Sequence, residues 1–194
     1  MRHRLAHLLL ALPLLTACSV LPEPAPPAME HDLTPAAGEA RPDAEGPVVI
    51  VATSAAPTAA GRALLRREGT ALAPIDDHRW VEPPARLIGD AVARRLEEEG
   101  TVRAALLETE RGRADGRLEL RLLALEQAGP REPVTLALTA RLLAADGTLL
   151  AIRRLRLTEP VDGPGGRAHA AAAQRLVDRV ADELAAWFLQ RGAD

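Results

Sequence analysis

Residues Val134–Leu142, with the sequence VTLALTARL, alternate between large apolar side chains and small or polar ones, and this alternation decides the fold. A period of two places successive side chains on opposite faces of a β-strand. The turn Ala145–Thr148 follows, and its Asp-Gly pair is typical of a tight β-hairpin. Beyond the turn, Leu149–Leu157 is again apolar at intervals, with arginines between. The sequence therefore predicts an antiparallel hairpin with one face in the core and one polar face.

Five further segments have strand character. Val48–Ala52 is continuously apolar, which is typical of a strand covered on both faces near the centre of a sheet. Glu68-Gly69-Thr70 separates two short apolar runs and indicates a second hairpin. The other four segments are Ala63–Arg67, Ala71–Ile75, Thr101–Leu107 and Leu118–Leu122.

Two amphipathic helices are predicted at about residues 85–99 and 167–190. Both carry an apolar stripe at helical spacing, and Gly100 is a suitable stop for the first. At the end of the second helix, Trp187 and Phe188 are expected to close the core. The predicted fold class is therefore α+β, a mainly antiparallel sheet packed by the two helices, in a domain spanning residues 47–194.

The N-terminus has the pattern of an export signal. Residues 1–17 combine two arginines with an apolar run that is too short to span a bilayer. The end of the run, Leu15-Thr16-Ala17-Cys18, resembles the lipobox of bacterial lipoproteins, which implies cleavage before Cys18 and a covalent lipid on its sulfur. Ser19 stands where an aspartate would retain a Gram-negative lipoprotein at the inner membrane. The resemblance thus implies an outer-membrane anchor, with the protein facing the periplasm.

A proline-rich segment follows the cysteine. Residues 18–46 contain six of the chain's 16 prolines and show no apolar period, so they are predicted to be a disordered tether. Fully extended, such a tether would reach about 90 Å, and as a flexible coil roughly 30 Å. His31 and Asp32 lie within it, and a metal site is not expected on a mobile segment.

The composition excludes several classes of function. All 24 basic residues are arginine and the net charge is −3, which argues against a nucleic-acid-binding protein. One cysteine excludes an intramolecular disulfide, and the absence of lysine and tyrosine removes the Schiff-base and phenol chemistries. Three aromatic residues are too few for a stacking groove.

No catalytic constellation is apparent. Ser54 lacks the glycines of a nucleophile elbow, so a triad of Ser54, His78 and Asp76 or Asp77 is a remote alternative. A zinc site would need ligands beyond Asp76, Asp77 and His78 to converge on them. The protein is therefore predicted to be a non-enzyme without a metal or cofactor, apart from the lipid on Cys18.

The motif Arg79-Trp80-Val81-Glu82-Pro83-Pro84, leading into the first helix, resembles the ABC-type transport auxiliary lipoprotein family, the PqiC-like partners of Mce-type lipid transporters. The lipobox, the early apolar strand and the two helices occur in the family's order. The family's frequent upstream tyrosine is missing, and Pro74-Ile75-Asp76 stands in that neighbourhood.

The resemblance implies an accessory subunit that docks on an Mce-domain protein and an ABC permease complex and aids phospholipid transport between the membranes. Arg79, Trp80, Glu82, Pro83 and Pro84 are the candidate docking residues, although burial of Trp80 is the simpler interpretation. A role as another envelope-assembly lipoprotein, such as a lipopolysaccharide-export adaptor, stays open as an alternative function. Formation of a homo-oligomer also stays open.

A second candidate surface is the arginine-rich hairpin. Arg141, Arg153, Arg154 and Arg156 are expected on one sheet face, which would meet an acidic partner, lipid phosphates or only solvent.

Overall fold

The computed structural model describes residues 27–33, 45–110 and 112–192. A short 3-10 helix, Pro57–Ala59, lies between the second and third strands. The other elements, in chain order, are β1 (Met29–His31), β2 (Val48–Ala55), β3 (Ala63–Glu68), β4 (Ala71–Trp80), α1 (Pro84–Glu98), β5 (Ala104–Leu107), β6 (Gly116–Gln127), β7 (Val134–Ala144), β8 (Leu149–Glu159) and α2 (Gly166–Gly192).

The strands form one eight-stranded sheet that is mixed rather than mainly antiparallel. In the described part of the chain, β1–β4, β2–β5, β2–β6 and β3–β6 are parallel pairs. The antiparallel pairs are β3–β4, β6–β7 and β7–β8. The prediction of a mainly antiparallel sheet is therefore wrong, because β2 runs parallel to both of its neighbours, β5 and β6. The prediction that β2 is covered on both faces near the sheet centre is also wrong, since it lies next to the edge strand β5 and Ser54 is exposed. The α+β class and the two helices are confirmed.

The hairpin that decides the fold forms as predicted. β7 and β8 pair over nearly their whole length, with Val134 opposite Glu159 and Leu138 opposite Leu155, and the register shifts once near the turn, after Leu142. At the turn, the Thr148 N–H donates to Asp146 Oδ1 over 2.8 Å, and Gly147 has a φ of +86° that a side chain would disfavour. Local turn chemistry and the period of two therefore agree with the observed pairing.

Both helices pack on the same face of the sheet. Trp187 and Phe188 at the end of α2 are buried, which confirms their predicted place in the core. Between the helices, the Arg95 guanidinium forms an ion pair with Asp182 at 2.5 Å. The core residues are contributed by the inner faces of β2, β6 and β7 and by the two helices, and they include Val49, Val51, Leu118, Leu120, Leu136, Leu138, Ile88, Val92, Leu96, Leu176, Val180 and Leu184.

One glycine sets how closely α1 approaches β2. A Cβ placed on Gly89 would lie 2.3 Å from Thr53 Cγ2, a distance that real structures do not tolerate. The missing side chain thus lets the helix backbone rest against the strand, and a larger residue would push the two layers apart.

The segment around β1 corrects the predicted tether. β1 pairs in parallel with the end of β4, with Met29 opposite His78 and His31 opposite Trp80. Leu33 is completely buried in the core. The prediction of disorder throughout residues 18–46 is therefore wrong for residues 29–33, which are part of the folded domain. None of the helices in the described ranges is long and apolar enough to cross a membrane.

Candidate functional site

The motif Arg79–Pro84 lies where β4 ends and α1 begins. Because successive strand residues face opposite sides, Arg79 is exposed while Trp80 is 1% exposed and packs in the core. The Trp80 N–H donates to the Arg62 carbonyl over 2.7 Å, and Arg62 Nε donates back to the Trp80 carbonyl over 2.8 Å. The tryptophan is thus fixed by its backbone as well as by burial.

Glu30 on β1 connects two arginines at this junction. Its carboxylate forms ion pairs with Arg79 and with Arg62, both at 2.7 Å. The hydrogen bond from Arg79, followed by that from Arg62, lowers the pKa of Glu30 below its usual value. The motif arginine therefore has a partner within the fold, and this contact holds β1 against the sheet edge.

The remaining motif residues shape the start of α1. Pro84 is the first helical residue, where its missing N–H has no intrahelical partner to lose. Glu82 pairs with Arg86 one turn later, at 2.9 Å, and both side chains are about half exposed. Arg79, Glu82 and Pro83 are thus the motif residues that a partner could reach, whereas Trp80 and Pro84 are buried. A docking role for the motif remains a prediction.

Three histidines meet beside this junction, an arrangement that the sequence did not indicate. His31 Nε2 and His78 Nδ1 are 2.8 Å apart, and the two rings stack with centroids 5.0 Å apart. His169, on α2, lies beneath them with its ring 6.0 Å from Trp80. His169 is fully buried, and neither ring nitrogen has a hydrogen-bond partner among the described residues.

Burial is the largest influence on the pKa values of His169 and His31. Burial, with a smaller contribution from the nearby His31, lowers the pKa of His169 from 6.5 to about 4. The pKa of His31 is also lowered, first by burial, then by His78 and Arg167. The described residues contain no group of three or more histidine, cysteine or acidic side chains placed to hold a metal ion.

A bulge in β4 brings His78 to His31. The register of β3 against β4 shifts between Ala63 and Leu65, and Asp77 has a φ of +58° within the displaced residues. Aspartate tolerates this left-handed conformation better than most residues. Gly166, at the start of α2, leaves the space that the His78 ring occupies, since a Cβ there would lie 2.2 Å from His78 Cγ.

The residues of the remote hydrolase alternative do not come together. Ser54 lies at the end of β2 and lines a cleft of about 470 Å³ on the sheet face away from the helices, with Arg121 and Thr139 among its neighbours. His78 is not part of that cleft, and its ring contacts His31 instead. Among the described residues, no histidine lines the cleft that holds Ser54.

The arginines of the hairpin divide between the two sheet faces. Arg153 lies opposite the buried Ala140 and pairs with Glu183 of α2 at 3.5 Å, so it faces the helices. Arg141, Arg154 and Arg156 lie on the other face. The expectation that all four share one face is therefore wrong, because Arg153 and Arg154 are adjacent on a strand and must point to opposite sides.

Cys18, the predicted site of lipidation, lies outside the described residues, as do residues 1–26. The first described residue is Pro27. The strand β1 begins at Met29, which is close in sequence to the predicted anchor at Cys18.

The arrangement defines a class of two-layer α+β domain in which helices cover one face of a mixed sheet and leave the other face open. Residues 31–185 match the family model described as ABC-type transport auxiliary lipoprotein component, and the chain belongs to that family. The resemblance drawn from Arg79–Pro84 is confirmed. The match begins at His31, in agreement with the position of β1 inside the fold.

Two solved structures, with TM-scores above 0.6, support the fold, and a third is similar only in part. Protein XCC0632 from Xanthomonas campestris, of family model DUF330, superposes with a TM-score of 0.73 at 23% identity, over 86% of this chain and 97% of that one. An uncharacterized protein gives a TM-score of 0.64 at 10% identity, over 82% and 97%. A PelC dodecamer from Paraburkholderia phytofirmans gives 0.43 at 15% identity, over 75% and 89%. No curated protein matches the sequence.

Family membership identifies the chain as an auxiliary lipoprotein component of ABC-type transport, hence a membrane-anchored protein of the cell envelope. That role is an accessory one and implies a non-catalytic function.

Proposed function

We propose that this lipoprotein is anchored through Cys18 in the outer membrane, faces the periplasm, and docks on an Mce-domain protein and its ABC permease complex to aid phospholipid transport between the two membranes. The observation that carries the proposal is the family match over residues 31–185, downstream of a lipobox. Docking rather than catalysis is its mode of action, and the lipid on Cys18 is its covalent group.

The position of β1 adds a geometric constraint to this proposal. If the whole segment from Cys18 to Gly46 were a tether, the domain could stand about 90 Å from the membrane. With β1 paired to β4, only the residues between Cys18 and Pro27 separate the anchor from the fold. Fully extended, they span about 30 Å. The transporter partner must therefore approach the membrane closely to reach this domain.

The anchor can be tested by substitution. We expect the Cys18→Ala chain to fractionate with soluble periplasmic proteins, whereas a Ser19→Ala control should remain with membranes, because the thioether needs the cysteine sulfur. A Ser19→Asp chain should move from outer-membrane to inner-membrane fractions on a sucrose gradient. Recovery of the Cys18→Ala chain with membranes would contradict lipid anchoring.

The partner can be tested by affinity purification of the full chain from detergent-solubilised membranes, followed by identification of both proteins and lipids. Co-purification of an Mce-domain protein with a permease and its ATPase is the expected result. Recovery of lipopolysaccharide-export components in their place would favour the other envelope-assembly hypothesis and contradict this one.

The hydrolase alternative can be tested in bacteria that express substituted chains. Because Ser54 and His78 occupy separate sites, Ser54→Ala and His78→Ala should leave envelope integrity near normal when expression is matched. Loss of function with both variants at full protein levels would indicate a catalytic role.

A further inference from the structure

The sheet face away from the helices, here called the outer face, brings polar side chains from four strands into one row. Ser54 of β2 pairs with Arg121 of β6, Arg121 pairs with Thr139 of β7, and Thr139 pairs with Arg154 of β8. Paired residues on neighbouring strands point to the same side of the sheet. The row therefore places two hydroxyl groups and two guanidinium groups side by side.

Charge on the outer face is only partly compensated. Glu119 forms ion pairs with Arg141 at 3.2 Å and with Arg117 at 3.6 Å. Among the described residues, Arg121 and Arg154 form no ion pair. Arg156, the next outward residue after Arg154 on β8, is likewise without one. A chain of net charge −3 thus carries a local excess of positive charge here.

The spacing of the row suits a single anionic group. Neighbouring strands are about 4.8 Å apart, so the Cα atoms of Arg121 and Arg154 are separated by about 10 Å, with Thr139 between them. Arginine side chains are long enough for both guanidinium groups to converge above Thr139. Guanidinium groups bind phosphate through paired N–H donors, and the hydroxyls of Ser54 and Thr139 are additional donors.

Apolar side chains border these cations. Leu123, two residues after Arg121, is 41% exposed and lines the same cleft. Ile152, two residues before Arg154, is 46% exposed and lies opposite Arg141 on the outer face. A soluble phosphate would gain nothing from these side chains, whereas the glycerol and acyl groups of a lipid would cover them.

We propose that the outer face binds the phosphate of an anionic phospholipid headgroup, with Arg121 and Arg154 on either side of it, Arg156 adding charge, and Leu123 and Ile152 contacting the apolar part of the lipid. The lipid proposed on Cys18 would keep the whole domain near a bilayer. The inference deepens the proposed role and rests on it for the supply of lipid, but its test requires no transporter.

The test uses the chain from residue 18 onwards carrying Cys18→Ala, since an attached lipid, or the apolar run within residues 1–17, would itself insert into vesicles. Co-sedimentation is measured with vesicles of phosphatidylcholine alone and with 30% phosphatidylglycerol. One arginine near an anionic surface contributes about 1 kcal/mol, so three should favour the anionic vesicles about 100-fold at low salt. The triple variant R121Q/R154Q/R156Q should lose this preference, and high salt should weaken it in the parent chain.

A matched control separates a defined site from general electrostatics. Arg86, Arg103 and Arg131 are exposed and lie on α1 and in two loops, so R86Q/R103Q/R131Q makes the same charge change away from the outer face. It should keep the preference within about threefold, and circular dichroism should show both triple variants folded. Equal losses in the two variants, or equal binding to both kinds of vesicle, would overturn the proposal.

Competition with a soluble phosphate is the last part of the test. Glycerol 3-phosphate at millimolar concentration should displace little of the bound chain, because it lacks the apolar groups that Leu123 and Ile152 contact. Complete displacement would overturn the assignment to a lipid and identify a site for soluble phosphates. Failure of the vesicle assay with a successful purification of the transporter would leave the proposed function standing without this site.

Discussion

Replacing His169 with leucine should make the protein less sensitive to mild acid. The imidazole is completely buried against Trp80, and neither of its nitrogens has a hydrogen-bond partner in the described part of the chain. Burial lowers its pKa from 6.5 to about 4, so the folded protein holds this histidine neutral at pH values where the unfolded chain protonates it.

The sign and size of the effect follow from this difference. Above pH 6.5 the histidine is neutral in both states and costs nothing, whereas between pH 6.5 and 4 the unfolded chain binds more protons and the free energy of unfolding falls. A shift from 6.5 to about 4 predicts a loss of about 2 kcal/mol at pH 5 and about 3 kcal/mol at pH 4. His31, whose pKa is also lowered, acts in the same direction.

The assay is urea denaturation of the Cys18→Ala chain at pH 7.5 and pH 5, followed by tryptophan fluorescence. His169→Leu should reduce the loss of stability between the two pH values by about 2 kcal/mol, because leucine does not titrate. At pH 7.5 the variant should be as stable as the parent or more so, since it removes an unpartnered polar group from the core.

His78→Gln serves as the control because it keeps the buried histidine and therefore its share of the pH dependence. If His169→Leu and the parent lose the same stability on acidification, the reasoning from burial is refuted. A histidine resonance of residue 169 that titrates near pH 6.5 in NMR spectra of the folded protein would refute it directly.

Two packing predictions complete the set. Leu33→Ala should lower the free energy of unfolding by about 2–4 kcal/mol in urea denaturation, because Leu33 is fully buried. Met29→Ala, at a 39% exposed position, should change it by less than about 0.5 kcal/mol, and equal effects would contradict the placement of β1. Gly89→Ala should cost about 1–3 kcal/mol through its clash with Thr53, and Thr53→Ala should recover most of that loss in a double-mutant cycle. Additive effects would mean that the two residues do not limit the approach of α1 to β2.

Elements with a local pattern could be predicted from the sequence. The helices occupy Pro84–Glu98 and Gly166–Gly192, close to the predicted 85–99 and 167–190, because an amphipathic stripe and its end residues are close together in the chain. The β7–β8 hairpin was predictable for the same reason, since its turn brings adjacent strands together. A resemblance carried by Arg79–Pro84 also identified the family correctly.

Strand partners that are distant in sequence could not be predicted in this way. The apolar run Val48–Ala52 predicted the strand β2, but not which strands would be its neighbours. The residues that share the outer face could be predicted only in part. Period-two alternation alone should have separated Arg153 from Arg154, whereas the row formed by Arg121, Thr139 and Arg154 depends on the register of three strands.

The segment around His31 shows why the candidate site was incomplete. Its prolines and charges are typical of a tether, and three residues are too few for a strand to be recognised. Its stability comes from distant partners: the arginines that Glu30 bridges, the histidine that meets His31, and the core that receives Leu33. Each contact offsets part of the conformational entropy that the segment loses when it becomes ordered. Together the contacts hold residues 29–33 in the folded domain. In the proposed anchoring through Cys18, these tertiary contacts limit the reach of the domain, and Leu33→Ala should increase that reach as well as destabilise the fold.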